Sequence, residues 1–138
     1  MISKKINFDF GSVEVFDGFA IGEYNEGIDL GAEQNDKLIH VCKKYYKDKP
    51  FGYISNRTTS FSIDPTVYLK SNKITNLQAI AVVVKNPAQV LSASIEKIFF
   101  GRSFQYFDSL NDAVSWIREI IPASENKKDF RRRSPDFS

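Results

Sequence analysis

The sequence predicts one α/β domain: a mixed β-sheet, antiparallel in an N-terminal meander and parallel thereafter, covered by about four helices. Three observations carry that prediction. The first is the run Leu77-Gln78-Ala79-Ile80-Ala81-Val82-Val83-Val84, whose only polar side chain is Gln78. An apolar run without alternation reads as a strand buried on both faces. Its shortness and its Val triplet favour a strand over a buried helix. The second is the helix entry Lys85-Asn86-Pro87 that follows at once, with Asn86 placed to cap and Pro87 at the first helical position. The third is the N-terminal part, where short alternating stretches are separated by Gly and turn pairs, as in an antiparallel meander.

Taken in order, Lys5-Ile6-Asn7-Phe8-Asp9-Phe10 alternates apolar and polar residues, Gly11-Ser12 follows, and Val13-Glu14-Val15-Phe16 returns as the second arm of a hairpin. Asp17-Gly18 turns the chain into Phe19-Ala20-Ile21-Gly22-Glu23-Tyr24, a third strand. Residues 25–31 read as a loop. A helix is expected from about Ala32 to Tyr46, with Leu38, Val41, Cys42 and Tyr45 on its inner face, Ile39 and Tyr46 flanking them, and His40, Lys43 and Lys44 facing away. Phe51–Ser55 is a short strand with the polar segment Asn56-Arg57-Thr58-Thr59-Ser60 at its carboxyl end. Phe61-Ser62-Ile63 leads to Asp64-Pro65, which starts a short helix over 66–70. After the apolar strand, the helix opened by Pro87 carries Val90, Leu91, Ser94, Ile95 and Ile98 on one side, the expected core stripe. Phe104–Phe107 is a strand. Ser109 and Asp112 form an Asp variant of a capping box before a last helix striped by Leu110, Ala113, Val114, Trp116, Ile117, Ile120 and Ile121, and Pro122 stops it. The order is βββαβαβαβα, and the repeated strand–helix units predict parallel pairing.

Composition narrows the function classes. A chain of 138 residues is most simply one domain. No apolar run approaches the ~20 residues a membrane helix needs, and the N-terminus has no apolar core of a signal peptide. Cys42 is the only cysteine, so an intrachain disulfide is excluded and a reducing, cytoplasmic setting is expected. The net charge of +2 resides in residues 122–138, where Lys127, Lys128 and Arg131–Arg133 outnumber Glu125, Asp129 and Asp136. The body is neutral and offers no field for nucleic acid. Residues 122–138 are expected to be a disordered, solvated tail.

The blocks Phe51-Gly52-Tyr53-Ile54-Ser55-Asn56-Arg57, Ser62-Ile63-Asp64-Pro65-Thr66-Val67-Tyr68 and Ala79–Val84, with the closing pattern Phe104-Gln105-Tyr106-Phe107-Asp108-Ser109-Leu110…Ala113…Trp116-Ile117, resemble the small bacterial SpoIIAA-like, STAS-like proteins. The resemblance covers roughly residues 5–121 and implies a SpoIIAA-like domain over 1–121, a four-to-six-stranded sheet with helices alongside. Anti-sigma-factor antagonists of that superfamily carry a phosphorylatable residue in an Asp-Ser/Thr-x-Gly turn. Neither 56–60 nor Lys85-Asn86-Pro87 has that turn, so phosphoswitching and catalytic residues do not carry over.

The first candidate surface for a ligand or partner is Asn56, Arg57, Thr58, Thr59 and Ser60, because open α/β sheets bind beyond the carboxyl ends of their strands. Arg57 would grip a carboxylate or phosphate in bidentate fashion. The structural alternative is a loop in which Arg57 pairs with Asp64 and the hydroxyls cap a turn. His40 lies among lysines with no nominated second group, and Cys42 lies on an apolar face, where it acts as a small inert hydrophobe. His40 and Cys42 point to different helix faces and cannot share a metal ion, and no cofactor is expected. The aromatic group Phe99, Phe100, Phe104, Tyr106 and Phe107 either fills core or lines an apolar pocket, and Arg131-Arg132-Arg133 reads as solvated tail. The leading expectation is a non-catalytic cytoplasmic binding or regulatory module for a protein partner, a second copy of the chain included, or a small ligand. The alternatives are a carrier of lipid or another apolar molecule, and an enzyme acting on an anionic substrate.

Overall fold

The computed structural model describes residues 3–122, so the expected tail and its Arg131–Arg133 run lie outside the described residues. The elements are β1 (Lys4–Phe8), β2 (Gly11–Phe16), β3 (Phe19–Tyr24), β4 (Asp29–Leu30), α1 (Ala32–Tyr46), β5 (Phe51–Asn56), β6 (Ser62–Ile63), α2 (Val67–Ser71), β7 (Leu77–Val83), α3 (Pro87–Phe99), β8 (Ser103–Phe107) and α4 (Leu110–Ile120). Six strands form one mixed sheet in the order β1-β2-β3-β5-β7-β8. The first three pair antiparallel, as the meander pattern predicts, and β3, β5, β7 and β8 pair parallel. The small strands β4 and β6, which alternation is too short to announce, make a separate parallel pair.

The turns follow their residue chemistry. Gly18 sits at φ 88°, a conformation an L side chain rarely adopts, and closes the β2–β3 hairpin next to Asp17. The first hairpin turns earlier than the alternation suggests. Phe8 pairs with Gly11, so Asp9 and Phe10 form the turn. Phe10 escapes solvent by folding onto Phe8, ring centroids 4.9 Å apart, and is buried.

Each parallel crossover lands on the next strand in the same direction: β3 to β5, β5 to β7, β7 to β8. Crossovers of one hand that step in one direction place their helices on one face. Accordingly α1, α2 and α3 share a core with Val13, Val15, Tyr24, Ile80, Val82 and Phe104. The opposite face, with Phe19, Ile21, Ile54, Ala79, Ala81 and Val83, is covered by α4 through Ala113, Val114 and Ile117. Strand β7 therefore contributes side chains to both cores, which is why it can be apolar without alternation.

Capping is as expected at Asn86, whose side chain accepts from Gln89 N at 2.9 Å, and at Ser109 the first half of the expected box forms, its Oγ accepting from Asp112 N at 3.1 Å. In α1 the inner face is rotated slightly. Tyr46 rather than Tyr45 points inward, stacks on Phe51 at 4.4 Å and donates to Phe16 O at 2.9 Å, while Tyr45 is exposed.

The larger departure is α3. Most of the stripe expected to pack inward faces solvent: Leu91, Ile95 and Ile98 are 64%, 45% and 80% exposed and Ser94 is exposed, while Val90 stays partly buried against the core. The inward side carries Ala93 and Glu96, both about 1% exposed. This helix is the last in its row, lying against α2 and the edge strand β8. No helix beyond it among the described residues covers its outer side.

Candidate functional site

Arg57 leaves the carboxyl end of β5 with its backbone still in ladder register, its N–H donating to Val83 O at 3.1 Å. Its side chain turns into the protein instead of toward solvent. Nη1 and Nη2 donate to the two carboxylate oxygens of Glu96 at 2.7 and 2.6 Å, Nε donates to Ser55 Oγ at 3.1 Å, and the guanidinium lies 5.4 Å from the ring centre of Phe61. Glu96 also accepts from the Tyr68 hydroxyl at 2.7 Å and from Ser92 Oγ at 2.6 Å. Arg57 and Glu96 are 3% and 1% exposed.

A buried ion pair is tolerable only when geometry is good and the remaining polar atoms are satisfied, and both conditions hold here. Burial opposes the charge on Arg57, but the hydrogen bonds and charge of Glu96 outweigh it and raise its pKa above the ordinary value. Burial first, and then the neighbouring Glu96 charge, pushes the Tyr68 hydroxyl well above its usual range, so it remains a donor.

The rest of the segment is held from several directions. Asn56 Nδ2 donates to Glu23 Oε2 at 2.7 Å, Thr59 Oγ1 donates to Tyr24 O at 2.7 Å, and Ser60 N donates to Glu26 Oε1 at 2.9 Å. Gln89 of α3 donates to the carbonyls of Arg57 and Thr59 at 3.4 and 3.2 Å. Beneath it the hydroxyls of Tyr24 and Tyr53 meet, and Gly22 makes room: a Cβ there would lie 1.8 Å from the Tyr53 hydroxyl. The β4–β6 pair ties the loop after Ser60 to residues 29–30.

No protein-family model matches the chain, and no curated protein matches it either. A solved structure does resemble it: an uncharacterised protein of the DUF3478 family from Shewanella loihica PV-4, described as having a SpoIIAA-like fold. The likeness has a TM-score of 0.51 at 10% identity, over 84% of this chain and 92% of that one. The fold is SpoIIAA-like. That agrees with the architecture implied by the 51–57, 62–68, 79–84 and 104–117 blocks; at this identity the likeness concerns the fold alone.

In this SpoIIAA-like fold the five residues named from the sequence stay together, but they divide by role. Asn56 and Arg57 are buried and engaged, Thr59 is half-buried and engaged, and Thr58 and Ser60 are exposed. The carboxylate that Arg57 suits is supplied by the protein itself. It is Glu96 rather than Asp64, whose carboxylate accepts from the backbone N–H and hydroxyl of Thr66 and is thereby held below its usual pKa. Glu96 escaped sequence reasoning because Leu91, Ile95 and Ile98 form the more regular apolar stripe on the opposite side. The available signal was that it is the one acidic residue in 87–99.

Two open clefts adjoin the loop, and a third hollow lies deeper in the molecule. An open cleft of about 320 Å³ lies between Thr59-Ser60-Phe61 and the start of α3, and another of about 420 Å³ lies beside Thr58, Glu23 and Glu26. An apolar cavity of about 60 Å³ lies under α1 and α2, between Leu38, Cys42, Tyr53, Tyr68 and Ile80. The last is far below the ~300 Å³ at which small-molecule pockets begin. The aromatic group named from the sequence does not form one pocket: Phe100 and Phe104 contact Tyr68 on one face, Phe107 contacts Trp116 on the other, and Tyr106 is exposed. His40 is exposed, and Cys42 is buried with its thiol pushed up to about 12 by that burial. Among the described residues no group of three His, Cys, Asp or Glu side chains could hold a metal. No helix among them is long and apolar enough to cross a membrane.

Proposed function

We propose that this protein is a non-catalytic binding or regulatory module whose contact surface for a protein partner is the outer side of α3. The observation that carries the reading is the exposure of Leu91, Ile95 and Ile98 at i, i+4 and i+7 spacing, one continuous apolar stripe on an otherwise well-packed molecule. The Arg57–Glu96 bond supports it, because it fixes the rotation of the helix that displays the stripe. It also occupies the one guanidinium that the sequence offered to an anionic substrate. The lone Cys42 suits a reducing compartment, and we place the protein in the cytoplasm on that ground.

The test is cross-linking mass spectrometry in host extract with the wild-type chain, a Leu91→Glu/Ile98→Glu variant and a Thr58→Ala/Ser60→Ala variant. The reading expects cross-links at α3 that the first variant loses and the second keeps. Cross-links that survive the first variant and vanish in the second would return the site to the 56–60 loop.

A further inference from the structure

The same surface says what kind of partner it fits. Strand β8 is an edge of the sheet, and no described strand pairs with its outer side. Natural edges are guarded by lysines, proline, bulges or brevity. The opposite edge, β1, is guarded by Lys4 and Lys5. The β8 sequence, Ser103-Phe104-Gln105-Tyr106-Phe107, has no charge and no proline, and its pairing with β7 runs without a bulge. Phe104 packs under the α3 side of the sheet. Strand alternation puts Tyr106, 45% exposed, on that same face.

An unguarded edge and an apolar helix stripe therefore adjoin, because α3 lies against β8. We infer that the chain forms a two-fold symmetric homodimer in which β8 pairs antiparallel with β8 of a second copy, while Leu91, Ile95 and Ile98 of the two α3 helices pack together. This rests on the reading of α3 as a contact surface and names its partner. A strand edge paired antiparallel with itself is self-complementary about a two-fold axis, which a heterologous partner would have no need to match. Charge permits it: Lys97 is the only charged residue of α3 besides the inward Glu96. Size permits it too. Leu91, Ile95, Ile98 and Tyr106 at these exposures offer on the order of 400 Å² of apolar surface, close to what a standard interface of about 800 Å² per partner carries.

The experiment is sedimentation equilibrium of the full chain over a hundredfold concentration range, with Leu91→Glu and Ile98→Glu alongside, and hydrogen exchange at both ends of the range. The expected result is a concentration-dependent dimer, reduced at least tenfold in association constant by either substitution, with unchanged thermal unfolding of the dilute monomer. The amides of Ser103–Phe107 should gain protection on dimerisation. A wild-type chain that stays monomeric throughout overturns the dimer. So does a dimer that both variants retain, or one that leaves the β8 amides unprotected. If a monomeric chain still captures another protein through Leu91 and Ile98, the dimer fails while the contact-surface reading stands.

Discussion

Helices α3 and α4 are two amphipathic segments of similar length that lie on opposite faces of the sheet and meet opposite fates. In α4 the large apolar residues go in: Ala113, Val114 and Ile117 are buried and Trp116 rests on Phe107. In α3 Leu91, Ile95 and Ile98 go out, Val90 and Phe99 stay partly buried, and a carboxylate goes in. Hydrophobic burial of Leu91, Ile95 and Ile98 would be worth roughly 1.5–3 kcal/mol per side chain. Turning α3 to gain it would carry Glu96 out to solvent and leave Arg57 buried without its partner, a cost of about 3–5 kcal/mol, of the same order as the burial forgone. The comparison teaches that one ion pair can set the rotation of a helix that periodicity alone would place the other way round.

The largest expected effect comes from breaking the pair. Arg57→Ala strands the Glu96 carboxylate and should lower unfolding free energy by about 3–5 kcal/mol in urea titration. A loss below ~1 kcal/mol would mean that the carboxylate is solvated and the two helices differ less than described. Next comes a direct contrast between the helices. Ile117→Ala should cost about 2–5 kcal/mol, whereas Ile98→Ala, made on an exposed position, should stay within ~0.5 kcal/mol in dilute monomer.

The α1–α3 side also buries ionisable groups. Burial raises the pKa of Tyr24, Tyr46, Tyr53 and Tyr68 above the ordinary 10.0, and that of Cys42 from 9.0 to about 12. Above those ordinary values the unfolded chain loses protons that the native protein keeps. Stability is therefore unaffected by these groups at neutral pH and falls as pH rises beyond about 9, by up to about 1.4 kcal/mol per pH unit per group. Urea midpoints between pH 8 and 11 should show the decline, with tyrosinate absorbance of the four appearing at the unfolding transition. A more modest effect comes from Tyr68→Phe, which removes one of the donors to Glu96 and should cost about 1 kcal/mol in the same urea titration.

Most of the frame was legible before any coordinates. The Ala32–Tyr46 helix, the caps Asn86 and Ser109, the meander and the doubly buried strand β7 all follow from local chemistry and period. What was not legible depends on distant partners. Strands β4 and β6 are two residues each and exist only because they meet. Phe10 belongs to a turn because its ring has Phe8 to lie on. The inward rotation of α3 is set by Arg57, thirty-nine positions before Glu96, and no periodicity within 87–99 reports it. For the candidate loop, the sequence picked residues that do cluster, but it could not reveal that the protein itself fills the grip of Arg57.

The most direct test of the central claim is a double-mutant cycle between Arg57→Met and Glu96→Leu, measured by urea unfolding at low protein concentration. The account expects each single substitution to cost about 3 kcal/mol or more and the double to cost less than their sum by at least about 2 kcal/mol. Additivity within about 0.5 kcal/mol would show that Glu96 does not meet Arg57, and that α3 is not turned as described.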